Sequence, residues 1–123
     1  MIYISLDFDG TCVRHRYPQI GEELPNCVNT LKELVNKKIK LCLNTMRSGK
    51  SLDEAVNWFK ERNIELYGIN ENPDQKRWTV SPKVFGTVYI GDDALGCPLI
   101  YDKDDAYVDW LTIRLLLIEQ GIL

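Results

Sequence analysis

Residues 2–11 read IYISLDFDGT, an apolar run that stops abruptly at two aspartates. Short apolar, β-branched runs that end in turn residues are typical of buried strands. Residues 2–6 are therefore predicted to form a buried strand. Asp7, Asp9 and Gly10 then open a polar segment, residues 10–22, whose glycines and proline predict a loop or a small hairpin.

Downstream of this segment, helical and strand patterns alternate along the chain. Apolar residues recur at helical spacing, Pro25 fits only the first turn of a helix, and the run from Ser51 to Glu54 is a capping box that predicts a helix start. The predicted helices cover residues 23–37, 51 onward and 107–120, and the predicted strands cover 39–43, 64–69, 84–90 and 98–101.

Strands that alternate with helices predict a Rossmann-like α/β fold, with a parallel sheet and helices on both faces. The 123 residues fit one domain, 1–123, because no repeat or linker divides the chain. Ligands bind such sheets beyond the carboxyl ends of the strands, so the polar residues that follow the strands are expected to converge. The last helix is expected to face the core with Val108, Leu111, Leu115 and Ile118.

The composition is that of a globular protein, with 45% hydrophobic and 27% charged residues and a net charge of −3. The acidic balance argues against nucleic-acid binding, for which proteins are usually basic. The N-terminus lacks the basic start of a signal peptide, and no apolar stretch approaches the roughly 20 residues that cross a bilayer. Four dispersed cysteines without zinc-type spacing fit a reducing compartment. A cytoplasmic protein without membrane contact is expected.

Four segments at or near the predicted strand ends resemble the signature motifs of the haloacid dehalogenase-like (HAD) hydrolase superfamily. They are, in chain order, Asp7-Phe-Asp9-Gly10-Thr11, Thr45, Lys83 and Gly91-Asp92-Asp93. The resemblance implies a HAD-like, Mg²⁺-dependent phosphomonoester hydrolase that acts through an aspartyl-phosphate. It further implies a member without a cap domain, because neither the loop after Thr11 nor the stretch from Thr45 to Lys83 has room for one.

The resemblance gives each motif a role that the residue chemistry supports. A carboxylate can act as a covalent nucleophile that splits hydrolysis into two steps, and Asp7 takes this role. Asp9, two residues along extended backbone and so on the same side, would protonate the leaving oxygen and later deprotonate water. Thr45 would donate its hydroxyl to a phosphoryl oxygen. Lys83 would offset negative charge, with Lys76 as the competing lysine.

Asp7, Asp92 and Asp93 would crowd negative charge into one site unless a cation intervenes. Mg²⁺ prefers carboxylate oxygens and bridges to phosphate, so it is the predicted cofactor. Asp92 is favoured as a direct ligand beside Asp7, and Asp93 as a direct or water-mediated one. The resemblance adds the backbone carbonyl of Asp9 to this set.

Several residues near the motifs are candidates for substrate binding. Arg47 lies just past the second motif, where it would reach a phosphate or carboxylate. Arg14 and Arg16 flank His15 in the loop that corresponds to a mobile flap in the superfamily, and such a cluster attracts anions. For each arginine, a solvated loop side chain is the alternative. Gly10 completes the predicted set beside the two aspartates of the first motif.

A site without a cap would admit a phosphorylated small molecule or an exposed phosphate on a macromolecule, and a homo-oligomer would suit it. Two other functions stay open from the sequence. One is a module that binds Mg²⁺ or phosphate without turnover, and the other is a phosphotransferase to an acceptor other than water. A receiver-like signalling domain is disfavoured, because it would carry its aspartate at the end of the third strand, where residues 68–70 read Gly-Ile-Asn.

Overall fold

Strand β1 (Tyr3–Leu6) lies inside a four-stranded parallel sheet of order β3-β2-β1-β4, in a computed structural model that describes residues 1–123. Its neighbours are β2 (Lys40–Leu43) and β4 (Val88–Ile90), and β3 (Gly68–Ile69) pairs with the far side of β2. The chain runs outward from β1 to β3 and then returns to the other side of β1. The strand order therefore reverses between β1 and β4, which is where parallel sheets bind ligands.

Three helices complete the α/β fold: α1 (Cys27–Asn36), α2 (Gly49–Glu61) and α3 (Trp110–Glu119). A short antiparallel hairpin, β5 (Leu99–Tyr101) and β6 (Ala106–Val108), precedes α3. The parallel sheet and the helices agree with the Rossmann-like prediction. None of the helices combines the length and the apolar character that crossing a bilayer requires.

The sequence pattern predicted helices on both faces of the sheet, but in the structure the helices cover one face only. Buried side chains of all three helices belong to one core of 21 residues. This core includes Ile4 and Leu6 of β1, and Phe8 just beyond it, whose ring packs edge-on against Trp58 of α2. Successive side chains of a strand point to opposite faces, so the core lies on one face of the sheet only.

The opposite face is covered by the long connection between β3 and β4. This connection contains a short 3₁₀ helix, Pro73–Arg77, in place of a full helix. The Tyr3 ring packs edge-on against Phe85, and its hydroxyl donates to Asp74 Oδ2 at 2.6 Å. A loop with polar side chains therefore covers this face of the sheet, where the prediction of helices on both faces required a helix.

Several predicted elements begin or end at other residues than the sequence pattern indicated. Helix α1 begins at Cys27, so Pro25 lies before its first turn, and α2 begins at Gly49, before the predicted capping box. In the 64–69 run, only the last two residues pair as strand β3, because the Ile64 amide first donates to the carbonyl of Phe59 and ends α2. Apolar residues outside the strands are buried by the turns that join the elements.

The predicted buried face of the last helix was wrong. Val108 belongs to β6, and Asp109 caps the helix by accepting from the Thr112 amide at 3.2 Å, so α3 starts three residues later than predicted. The helix instead buries Trp110, Ile113 and Leu117, and exposes Leu111, Leu115 and Ile118. Because α3 is apolar nearly all round, its sequence periodicity does not identify which face packs.

Candidate functional site

The three carboxylates of Asp7, Asp92 and Asp93 meet at the point where the strand order reverses. Asp7 directly follows β1, the other two follow β4, and the Asp7 amide extends the pairing by donating to the Ile90 carbonyl at 3.0 Å. One oxygen from each carboxylate lies within 4.8 Å of the others. The convergence that the sequence predicted is therefore present between these strand ends.

Thr11 links the two halves of this cluster, although the sequence reasoning gave it no role. Its fully buried hydroxyl donates to Asp7 Oδ2 at 3.1 Å and accepts from the Asp92 amide at 3.1 Å. The hydroxyl thereby fixes the orientation of the Asp7 carboxylate relative to the loop after β4. The only signal in the sequence was its place at the end of the first motif.

Gly10 supports Asp92 rather than a substrate, which corrects its predicted role. Its φ is +79°, and a Cβ at this position would collide with the Asp92 carboxylate. The Gly10 amide donates to the Val13 carbonyl at 2.7 Å, and its own carbonyl accepts from the Val108 amide at 3.1 Å. Both of its backbone groups are thus engaged within the protein, and its missing side chain leaves room for Asp92.

Replacement of Gly10 by alanine is expected to weaken the Mg²⁺ binding proposed below by about tenfold or more, since changes to the groups that support a metal ligand typically lower metal affinity by 10- to 100-fold. Gly96 provides a matched control, because its φ is also positive, at +91°, but a Cβ there meets no atom within 4 Å. Both variants carry the backbone strain of alanine at positive φ. Calorimetric titration with Mg²⁺ should show loss only for Gly10→Ala, and equal affinities would contradict this account.

The carboxylate cluster disfavours ionisation of Asp7 when no cation is bound. Burial, and then the neighbouring Asp92 carboxyl, raise the pKa of Asp7 to about 7 from an ordinary value of 3.8. The backbone at Phe8 and the Thr11 hydroxyl lower this pKa, but they do not offset the increase. A cation bound between the carboxylates would offset the repulsion between their negative charges and lower the pKa of Asp7.

The geometry of this cluster fits a magnesium ion. One oxygen from each carboxylate lies within 4.8 Å of the others, and ligand oxygens about 2.1 Å from Mg²⁺ lie up to about 4.2 Å apart, so the three carboxylates are near the spacing that one cation requires. The carbonyl of Asp9 accepts no hydrogen bond from the chain, which leaves it available as a further ligand. Hard oxygen donors of this kind are those that Mg²⁺ prefers.

The raised pKa of Asp7 predicts a specific dependence of stability on pH. Without metal, the folded state holds the Asp7 proton more tightly than the unfolded state, so the free energy of unfolding should fall as pH rises from about 4 to about 7. The slope for one group is at most about 1.4 kcal/mol per pH unit. Urea unfolding in EDTA should show this slope as a difference between the wild-type protein and Asp7→Asn.

Addition of Mg²⁺ should flatten that difference, because the cation favours the ionised carboxylate. A wild-type minus Asp7→Asn difference that stays constant between pH 4 and pH 8 in EDTA would contradict the assignment. Titrating groups distant from Asp7 contribute to both proteins alike, so the subtraction isolates Asp7 together with its interaction with the Asp92 carboxyl.

Asp9 lies in the same cleft, but its carboxylate is held by Arg47. The guanidinium donates from Nε to Asp9 Oδ2 and from Nη2 to Oδ1, each at 2.8 Å. Further donor groups of Arg47 reach the carbonyls of Pro18, Gln19 and Ser51 at 3.0 to 3.2 Å. The Arg47 side chain is only 1% exposed, and its bond to Asp9 raises its pKa further. Arg47 is therefore a buried clamp, not the substrate-binding arginine that the sequence predicted.

Arg47 lines the cleft with all of its donors engaged, whereas Arg14 and Arg16 do not line the cleft, contrary to the prediction. Arg14 Nη1 lies 2.7 Å from Asp102 and 2.6 Å from Asp105, and Arg16 Nη1 lies 3.0 Å from Asp105. Both aspartates belong to the turn between β5 and β6. The two arginines therefore attach the flap to this hairpin, and only His15 of the basic cluster lines the cleft.

Thr45 is placed as predicted, whereas the two candidate lysines are not. Thr45 lines the cleft and its Oγ1 accepts from the Arg47 amide at 3.2 Å, which leaves its hydroxyl proton to donate. The Lys83 ammonium lies 5.8 Å from the centroid of the Tyr89 ring, outside the cleft, and Lys76 pairs with Glu71 at 3.6 Å. No lysine lines the cleft around Asp7.

The fold and this cluster define a small α/β protein with three carboxylates at the carboxyl edge of its parallel sheet. No protein-family model and no curated protein sequence matches the chain. A solved structure of a conserved protein coded by a locus from Bacteroides thetaiotaomicron superposes with a TM-score of 0.81, over 97% of this chain and 91% of that one, at 37% identity. The chain belongs to the same family as that protein, which is described by no activity or substrate.

Proposed function

We propose that this protein is a Mg²⁺-dependent phosphomonoester hydrolase that acts through an aspartyl-phosphate on Asp7. The observation that carries the proposal is the meeting of Asp7, Asp92 and Asp93 within 4.8 Å at the reversal of strand order. Three carboxylates without a lysine among them would repel a phosphate dianion, unless a divalent cation bound between the carboxylates and the phosphate.

Asp7, Asp92, Asp93 and the Asp9 carbonyl would hold the cation, which when bound neutralises charge on the phosphoryl oxygens. In the first step, an Asp7 oxygen forms a bond to phosphorus as the bond to the ester oxygen breaks, and Asp9 gives a proton to the departing alcohol. In the second step, water attacks the phosphorus, its proton passes to Asp9, and the Asp7–phosphorus bond breaks. Thr45 donates its hydroxyl to a phosphoryl oxygen throughout.

The Arg47 clamp bears directly on the role of Asp9. Both carboxylate oxygens are occupied by guanidinium donors, so Asp9 must release at least one of them to carry a proton. This arrangement favours a second candidate, a module that binds Mg²⁺ and phosphate without turnover. The two functions share the metal site and differ in whether Asp9 leaves Arg47 when substrate is bound.

Phosphate release from a panel of phosphomonoesters, with Mg²⁺ and with EDTA, tests the proposal, with Asp7→Asn as the blank. Release that requires Mg²⁺ and is absent in the blank supports a hydrolase. If no compound is hydrolysed, beryllofluoride provides the second measurement, since it mimics phosphate on an aspartate. Mg²⁺-dependent trapping at Asp7 without turnover would support the binding module, and no trapping would overturn both.

Asp92→Ala is expected to weaken Mg²⁺ affinity by about tenfold or more, because Asp92 is partly buried beside Asp7 and its carboxylate rests against Gly10. Asp93 is the exposed member of the cluster, so Asp93→Ala should have the smaller effect. Calorimetric titration of the two variants gives the comparison. An unchanged affinity in Asp92→Ala would transfer the ligand role to Asp93.

A further inference from the structure

The cleft is lined by exposed apolar side chains, here called its mouth, and by the carboxylates of the acidic cluster, here called its floor. Two adjoining cavities of about 330 and 490 Å³ share Asp7, Thr45, Met46 and Asp93. Met46 is 99% exposed, and Tyr89 and Tyr17, which line one cavity each, are 43% and 56% exposed. Single exposed apolar residues are ordinary, but Met46 lines both of these adjoining cavities and one tyrosine lines each of them.

The cations near the cleft are already engaged. Arg47 is bound to Asp9, and Arg14 and Arg16 are bound to the β5–β6 hairpin. Lys83 and Lys76 lie outside both cavities, and His15 is the remaining basic side chain of the lining. Apart from His15, the charged side chains that a second phosphate or carboxylate on a substrate would meet are therefore carboxylates and an arginine that is already paired, and this costs binding energy.

Several polar side chains of the smaller cavity already have hydrogen-bond partners within the protein. Asn44 Nδ2 donates to Ser5 Oγ at 3.1 Å, and the Tyr89 hydroxyl accepts from the Gly86 amide and donates to the Val84 carbonyl. Few free groups remain to pair with several sugar hydroxyls. A polar substrate would lose its hydration there without full compensation.

We propose that this site takes monophosphate esters of uncharged apolar or aromatic alcohols, with Met46 and Tyr89 as specificity-determining residues at its mouth. The inference rests on the proposed function, because it assumes that the phosphate binds at the Asp7 cluster. The phosphate lies on the acidic floor with the cation, and the apolar group of the ester packs against the thioether and the rings. Sugar phosphates, bisphosphates and phosphocarboxylates are the disfavoured classes.

Binding of two phosphonates to the Mg²⁺-loaded wild-type protein, measured by calorimetry, tests this specificity. Benzylphosphonate presents an aromatic group, and 2,3-dihydroxypropylphosphonate presents two hydroxyls on an otherwise similar acid. Benzylphosphonate is expected to bind roughly tenfold more tightly, as is typical of apolar contacts in a pocket. Met46→Ser should remove most of this preference. Val80→Ser, at a fully exposed residue outside both cavities, should leave it unchanged.

The outcomes separate this inference from the proposed function. Equal affinities, tighter binding of the hydroxylated compound, or a preference that survives Met46→Ser would overturn the specificity alone. If neither phosphonate binds, the phosphate site itself fails and the inference fails with it. Turnover of benzyl phosphate against glycerol 1-phosphate gives a second readout, because both release alkoxide-type alcohols and so differ little in leaving-group reactivity.

Discussion

Asp7→Asn is expected to reduce phosphate release by roughly 10⁴-fold or more, as is typical when a covalent nucleophile is removed. An amide has no ionised oxygen to attack phosphorus, and it contributes a weaker ligand to the cation. The side chain keeps its volume, which matters because Gly91 packs closely against it: a Cβ at Gly91 would lie 3.3 Å from the Asp7 Cβ. The fold should therefore be retained, as circular dichroism and urea unfolding would show.

Asp53→Asn is the matched control for this experiment. It makes the same chemical change at an exposed position of α2, away from the cleft. Single-turnover phosphate release should be unaffected in the control and lost in Asp7→Asn. Residual activity within tenfold of wild type in Asp7→Asn would remove Asp7 from the nucleophile role, whatever else in the site proved correct.

Arg47→Met is expected to lower the free energy of unfolding by about 3 kcal/mol, the lower end of what removal of one partner of a buried ion pair costs. The Asp9 side chain is only 13% exposed, so its charge would be left without the guanidinium in a partly desolvated place. The carbonyls of Pro18, Gln19 and Ser51 would each lose a donor at the same time. These groups lie in the flap and in the first turn of α2, so the loss should loosen the flap as well.

Urea unfolding measures this effect, and Arg77→Met is its control. Arg77 also lies 3.4 Å from an aspartate, Asp74, but its side chain is 74% exposed, and exposed pairs contribute little. Combining Arg47→Met with Asp9→Asn should recover part of the lost stability, because no buried charge is then left unpaired. A loss no greater in Arg47→Met than in Arg77→Met would show that the clamp does not hold this part of the fold.

The state of the Asp9–Arg47 ion pair with substrate bound distinguishes the two proposed functions. If Asp9 stays bound to Arg47 with substrate present, the protein binds phosphate without protonating a leaving group. If substrate draws Asp9 away, hydrolysis by general acid catalysis becomes possible. A pH profile of phosphate release in the wild-type protein and in Arg47→Lys, which keeps the charge but loses the two-point bond, would distinguish these states.

The parallel sheet and the meeting of Asp7 with Asp92 and Asp93 could be predicted from the sequence. These followed from local patterns: short apolar runs that form strands, and the rule that parallel strands end at one edge. Thr45 was found in the same way, because it follows β2. Thr11 was within reach of the same reasoning, since it closes the motif, but a hydrogen bond to an amide 81 residues away leaves no mark in a sequence.

The roles of the charged side chains depend on contacts between distant parts of the chain. Arg47 and Asp9 are 38 residues apart, and Arg14 and Asp105 are 91 residues apart. At these separations no sequence pattern predicts that the two members of a pair are in contact. Burial requires the Arg47 guanidinium to pair with a carboxylate, and Arg14 and Arg16 pair with aspartates of the β5–β6 turn, so none of the three predicted substrate ligands is free to bind a substrate.

The same distinction applies to the helices and the lysines. Which face of the sheet the helices cover, and which side of the nearly all-apolar α3 is buried, depended on contacts such as the Trp110 indole donating to the Thr11 carbonyl at 2.6 Å. Lys83 and Lys76 lie in a connection whose course is set by Asn72 and Gln75, both buried and hydrogen-bonded within it. Local sequence patterns indicate roughly where the strands lie, because they depend on neighbouring residues. The partners and the burial of each side chain at the strand ends depend on contacts between residues far apart in the sequence.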